Sequence, residues 1–173
     1  MLRRRPSPDA LPPQPEWQRR FDEAAALILS REQPEWVAER LDDLQQALVA
    51  ANEALARLDT GVRQLDRDQS AAELKRALRQ RSTSGSPTSA ADVERRIATL
   101  RRRYDAVNDM INRSETLQQR ILDTTADVEL LAVQAVRAQA FDVDPVRDLE
   151  QHFAQLETDL RILELARREV EEL

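Results

Sequence analysis

Apolar residues recur along most of this chain at steps of three and four, the spacing that keeps them on one side of a helix. The longest stripe is Val37, Leu41, Leu44, Leu48, Ala51, Leu55, Leu58, Val62 and Leu65. Its alternating steps of four and three describe a coiled-coil seam. A second stripe in the same frame runs Val93, Ile97, Leu100, Tyr104, Val107 and Ile111, passes through Ser114 and Gln118, and resumes at Ile121, Thr125, Val128 and Ala132.

The punctuation between stripes predicts four helices. The tetrapeptide Gln-Pro-Glu-Trp occurs at residues 14–17 and again at 33–36. Pro15 and Pro34 suit a first helical position, where a missing N–H costs nothing, and Glu16 and Glu35 complement the positive end of the helix dipole. Helices are therefore expected over about 16–31 and 34–81, the second free of Pro beyond its start. The segment 82–89, Ser-Thr-Ser-Gly-Ser-Pro-Thr-Ser, reads as a loop, and Ser89 with Asp92 resembles a capping box that opens a third helix over about 90–141. Asp144 and Pro145 repeat the start signal for a fourth helix over about 145–173. Near residues 68–70 the frame slips, because Leu74 and Leu78 fall outside the stripe, and a local kink is expected there.

If the chain folds back at 82–89, the two stripes face each other, with Leu65 against Tyr104, Leu58 against Ile111, Leu48 against Ile121 and Leu41 against Val128. Ser114 then meets Leu55 and Gln118 meets Ala51, polar layers that either fix the register or loosen the pair. Towards the open end the apolar arc widens, through Trp36, Ala47, Val49 and Ala50 on one side and Leu122, Leu130, Leu131, Val133 and Val136 on the other. A helix apolar over a wide arc needs covering neighbours. The first helix, with Trp17, Phe21, Ala24 and Ile28 on one face, and the last, with Phe153, Leu156, Leu160, Leu163 and Val170, are the candidates. The expected fold is all-α: a long antiparallel coiled-coil hairpin projecting from a three- or four-helix base. The domain division is a disordered, Pro-rich basic arm over 1–15 and a single helical domain over 16–173, with the hairpin tip at 82–89.

Composition removes most chemistry. The 173 residues include no Cys, one His and two Gly, and 34% of them are charged against 3% aromatic. There is no thiol nucleophile, disulfide framework or cysteine metal site. Four residues before His152 lies Asp148, a spacing that brings two metal ligands together or simply forms an intrahelical ion pair. Neither a phosphate-cradling Gly loop nor a pair of Glu-x-x-His helices accompanies it. No catalytic residue, cofactor site or metal site is expected, and no small-molecule substrate. The longest purely apolar run is six residues, Ala24–Leu29, against the roughly 20 needed to span a bilayer. The start has no apolar core behind its basic residues and does not read as a signal peptide. A cytoplasmic protein is expected, either free or peripheral to a membrane.

Charge layout is the more informative feature. Between residues 73 and 103 stand nine basic residues, Lys75, Arg76, Arg79, Arg81, Arg95, Arg96, Arg101, Arg102 and Arg103, against Glu73, Asp92 and Glu94. This stretch totals +6 within a chain of net charge −6, so the remainder totals −12. A basic tip on an acidic base suits phosphate groups of a membrane or nucleic acid, or the base of a neighbouring copy, and it is also how a solvated helical face looks. Trp17, Phe21 and Trp36 are candidate partner contacts or core residues. The expected function is a non-catalytic coiled-coil scaffold or adaptor that binds a protein partner or itself. The alternative is a peripheral binder of an anionic surface, membrane lipid headgroups or nucleic acid, through the nine basic residues.

Overall fold

A computed structural model describes residues 14–30, 33–81, 87–141 and 146–171. Most of the expected N-terminal arm, residues 82–86 of the tip loop, and Asp144 with Pro145 lie outside the described residues. The described part comprises five α-helices and no strand: α1 Glu16–Ile28, α2 Glu35–Leu65, α3 Arg67–Arg81, α4 Pro87–Phe141 and α5 Val146–Glu171. At 1.5 Å per residue the 55 residues of α4 extend roughly 80 Å, and every other helix packs against it.

Both Gln-Pro-Glu-Trp segments start helices, one position later than the expected geometry. Pro15 and Pro34 are the caps, with extended ψ angles of 145° and 141°, and Glu16 and Glu35 take the first helical positions. The prolyl carbonyls accept the first helical bonds, from Gln18 and Val37. At the other predicted start, α4 begins at Pro87 rather than residue 90, and the Asp92 carboxylate pairs with Arg95. Proline, its φ fixed near the helical value, opens the helix before the capping box is reached.

The expected second helix is two helices. The break falls at Asp66, slightly ahead of the predicted kink, where the backbone turns to φ 40° and ψ 90°. Aspartate tolerates this left-handed geometry better than most residues because its side chain bonds locally. Its Oδ1 accepts the N–H of Gln69 at 3.0 Å and caps α3, while Ser70 N–H reaches the Asp66 carbonyl at 3.0 Å. Ser70 is itself buried and donates to the Leu65 carbonyl, so an end of α2 left open by the break is satisfied.

Ion pairs give the helix directions. Arg40 meets Glu157 and Arg57 meets Glu171, so α5 runs parallel to α2. Arg113 donates to the Glu169 carbonyl, Arg103 pairs with Glu73 and Arg81 with Glu94, so α4 runs against α5 and α3. On the opposite flank α1 lies along α4, tied by Arg20 to Glu129, and Trp17 Nε1 donates to Asn52 of α2 at 3.3 Å. The result is a helical base, α2 and α4 flanked by α1 and α5, continued by α3 against the first part of α4.

One core runs through the base. It takes Trp17, Phe21, Ala24 and Ile28 from α1, the α2 stripe from Val37 to Leu58, and Phe153, Leu156, Leu163 and Val170 from α5. Trp36 caps one end edge-on to Phe153, their ring centroids 5.3 Å apart. The facing register differs from the expected one. Asp59, not Leu55, lies against Ser114 and accepts its hydroxyl at 2.7 Å, and Gly61 passes over Met110. Gln118 is exposed and Leu117 is fully buried in its place. Choosing Val107, Met110, Ser114, Leu117, Ile121, Thr124, Val128 and Leu131 puts a larger apolar volume inside than the expected frame did, and Ser114 is satisfied across the pair by Asp59.

Candidate interaction surfaces

The wide apolar arc near the base is not fully covered. Its inner side meets α1 and α5, yet Leu122, Leu130, Val133 and Val136 of α4 keep 40%, 52%, 54% and 43% of their surface in solvent. By helical periodicity Leu122, Ala126, Leu130 and Val133 form one strip on the side of α4 turned away from α2. Towards α1 the strip runs into a groove of about 420 Å³, whose walls are Ala24 and Leu27 on one side and Ala132, Val133 and Val136 on the other. Leu27 and Leu29, exposed at the end of α1, extend it. The sequence expectation that α1 and α5 would bury these residues fails because two flanking helices cover two sides of α4 and leave the third open.

Two electrostatic features border the strip. On the α1 side the Arg20 guanidinium grips Glu129 with two bonds, Nε to Oε1 at 2.7 Å and Nη2 to Oε2 at 2.5 Å. This hydrogen bond above all holds the Glu129 carboxyl below its ordinary range and raises Arg20. On the other side Asp127 lies partly desolvated with Asp159 of α5 and Asp123 nearby, and burial first, then those two charges, push its carboxyl up. One edge is therefore neutralised, and the other carries Asp123, Asp127 and Asp159, which make no ion pair with a described residue, Asp123 accepting a hydrogen bond from Gln119 at 2.7 Å.

All nine basic residues of the tip are exposed. Three of them are matched to the acids of the same stretch: Arg81 to Glu94 at 2.6 Å, Arg103 to Glu73 at 3.8 Å, and Arg95 to Asp92. Lys75, Arg76, Arg96 and Arg101 make no ion pair with a described residue, and Arg102 bonds the Ala98 carbonyl of its own helix. Lys75 and Arg79 lie on the back of α3, and Arg95 and Arg102 on the back of α4, so the charge surrounds this end rather than lining one side.

Trp17 and Phe21, candidate partner contacts by sequence, are 7% and 2% exposed and belong to the core of the base. Trp36 is half-buried against Phe153. The side chain of Asp148 lies outside the described residues, and His152 is half-buried on α5. Among the described residues no group of three or more His, Cys, Asp or Glu is placed to hold a metal ion, and no helix is long and apolar enough to cross a membrane. The exposed strip was visible as excess apolar residues on α4, but its openness depends on where α1 and α5 settle. Compared with known proteins, the chain matches no family, no curated protein and no solved structure.

Proposed function

We propose that this protein is a non-catalytic scaffold or adaptor. In this reading α2, α3 and α4 form a long antiparallel coiled-coil hairpin, an arm that projects from the helical base, and the open face of α4 docks an apolar helix of a protein partner or of a second copy. The observation that carries it is the strip Leu122, Leu130 and Val133, continuous with Val136 and Leu27, all at least 40% exposed. Contiguous exposed apolar surface of this kind marks interaction sites. The test is affinity capture with the native chain and with Leu130→Glu/Val133→Glu. Protein partners, a tagged second copy included, that are lost with this variant and kept after replacement of Arg101, Arg102 and Arg103 support the reading. Partners that bind both variants equally, or none at all, overturn it.

The exposed, incompletely matched cations of the tip favour a second reading, a peripheral binder of anionic lipid headgroups or nucleic acid. Such binding weakens steeply with salt, because it releases counterions, whereas an apolar helix contact is nearly indifferent to salt. Binding to anionic vesicles or to a DNA duplex that fades across a salt titration, and disappears with Arg101→Glu/Arg102→Glu/Arg103→Glu, is the expected signature. Absence of binding at low salt removes this reading.

A further inference from the structure

The two exposed surfaces have complementary chemistry. On the base, the strip Leu122, Ala126, Leu130 and Val133 is flanked by the ridge of Asp123, Asp127 and Asp159. On α3, Leu78 is 37% exposed, Leu74 lies half-buried one turn before it, and Lys75, which makes no ion pair with a described residue, stands three residues before Leu78. One surface is apolar with a carboxylate edge. The other is apolar with a cationic edge. The chain as a whole divides the same way, +6 over residues 73–103 and −12 over the rest.

We propose that the open face of α4 is covered by α3 of a second copy, in an antiparallel dimer where each copy's α3 lies on the other's base. This names the partner within the scaffold reading and rests on it. Intramolecular contact is ruled out by length: the strip and Leu78 lie at opposite ends of a rod, about 45 Å apart along α4 between the levels of residues 97 and 128. Between copies, a head-to-tail contact uses one complementary pair per junction and leaves both ends open. The antiparallel arrangement makes the same contact twice about a two-fold axis and leaves neither surface exposed. A cation brought beside Asp127 also relieves the repulsion that Asp123 and Asp159 impose on it.

Sedimentation of the purified full chain tests this. At low salt and neutral pH the expected mass is twice the 19.8 kDa of one chain, falling to a single chain at high salt. Lys75→Glu and Asp127→Lys each yield monomer, and a chain carrying both changes regains the dimer because the contact is restored with signs exchanged. Leu130→Glu, at a site more than half exposed, is a second variant that leaves the core untouched and also gives monomer. Circular dichroism melts confirm that each variant is folded. A native chain monomeric at low salt, a mass that grows beyond two chains, or a charge exchange that fails to restore association overturns the proposal. Failure here leaves the scaffold reading to be decided by whether a different protein needs the same strip.

Discussion

The base and the distal pair, α3 with the first part of α4, share the long helix α4 but are packed differently. In the base, α2 and α4 meet helices on more than one side, and a continuous core extends from Trp17 to Val170. Beyond Leu58 and Leu117 that core stops. The distal pair buries Ser70, Ala77, Ile97 and Val107, none of them joined to the main cluster. Three or four neighbouring helices close the space around a side chain; two do not, so buried apolar volume is concentrated in the base and positive charge around α3 and the start of α4.

Truncation of Leu48, fully buried in the base, should have the largest effect: Leu48→Ala is expected to lower global stability by about 3 kcal/mol, read from urea melts. Ile97→Ala, in the distal pair, should instead accelerate amide exchange locally, over α3 and the facing turns of α4, while the global melt moves less. Equal loss of melting temperature for both variants would break the distinction between the two regions.

Acid titration offers a smaller and more selective probe within the base. The Glu129 carboxyl is held low by Arg20, so its stabilising contribution is present above the unfolded carboxylate pKa and is lost as pH falls through the lower folded value. Asp127 has the opposite sign: its folded pKa is raised, so the charged form is strained at neutral pH and the strain is relieved as pH falls through that raised value. At high salt, where the proposed dimer has come apart, Asp127→Asn should therefore raise the melting temperature at pH 7, and Glu129→Gln should lower it, less than any core truncation does. A fall for Asp127→Asn would show that its carboxylate is satisfied by a partner. Smallest of all should be Gly61→Ala. Removing glycine from mid-helix favours folding by up to about 1 kcal/mol, while the new Cβ comes within 2.7 Å of the Met110 methyl, which must swing aside. A net change within about 0.5 kcal/mol is expected in the same melts.

Most of the helical layout was legible because three- and four-residue spacing is a local signal. The α2 stripe from Val37 to Ala51 and the faces of α1 and α5 are buried as their spacing implies. Register was less legible, since heptads align equally well seven residues apart and α4 offers a second apolar frame through Met110, Leu117 and Leu131, and the Asp59–Ser114 hydrogen bond that distinguishes the alternatives joins residues 55 positions apart. Likewise nothing in the pattern of α4 says that Leu130 and Val133 stay open, because their cover was left to helices whose placement is a tertiary matter. The charge of the tip was plain in the sequence. Which cations are matched, Arg81 by Glu94 and Arg103 by Glu73, emerged only once α3 lay against α4.

The interruption at Asp66 separates two numbering frames on one side of the rod, while α4 runs through unbroken on the other. Length on the far side of that joint is therefore a free parameter of the design. Seven residues added to α3 and seven to the facing part of α4 would extend the reach by about 10 Å without moving a single contact in the base.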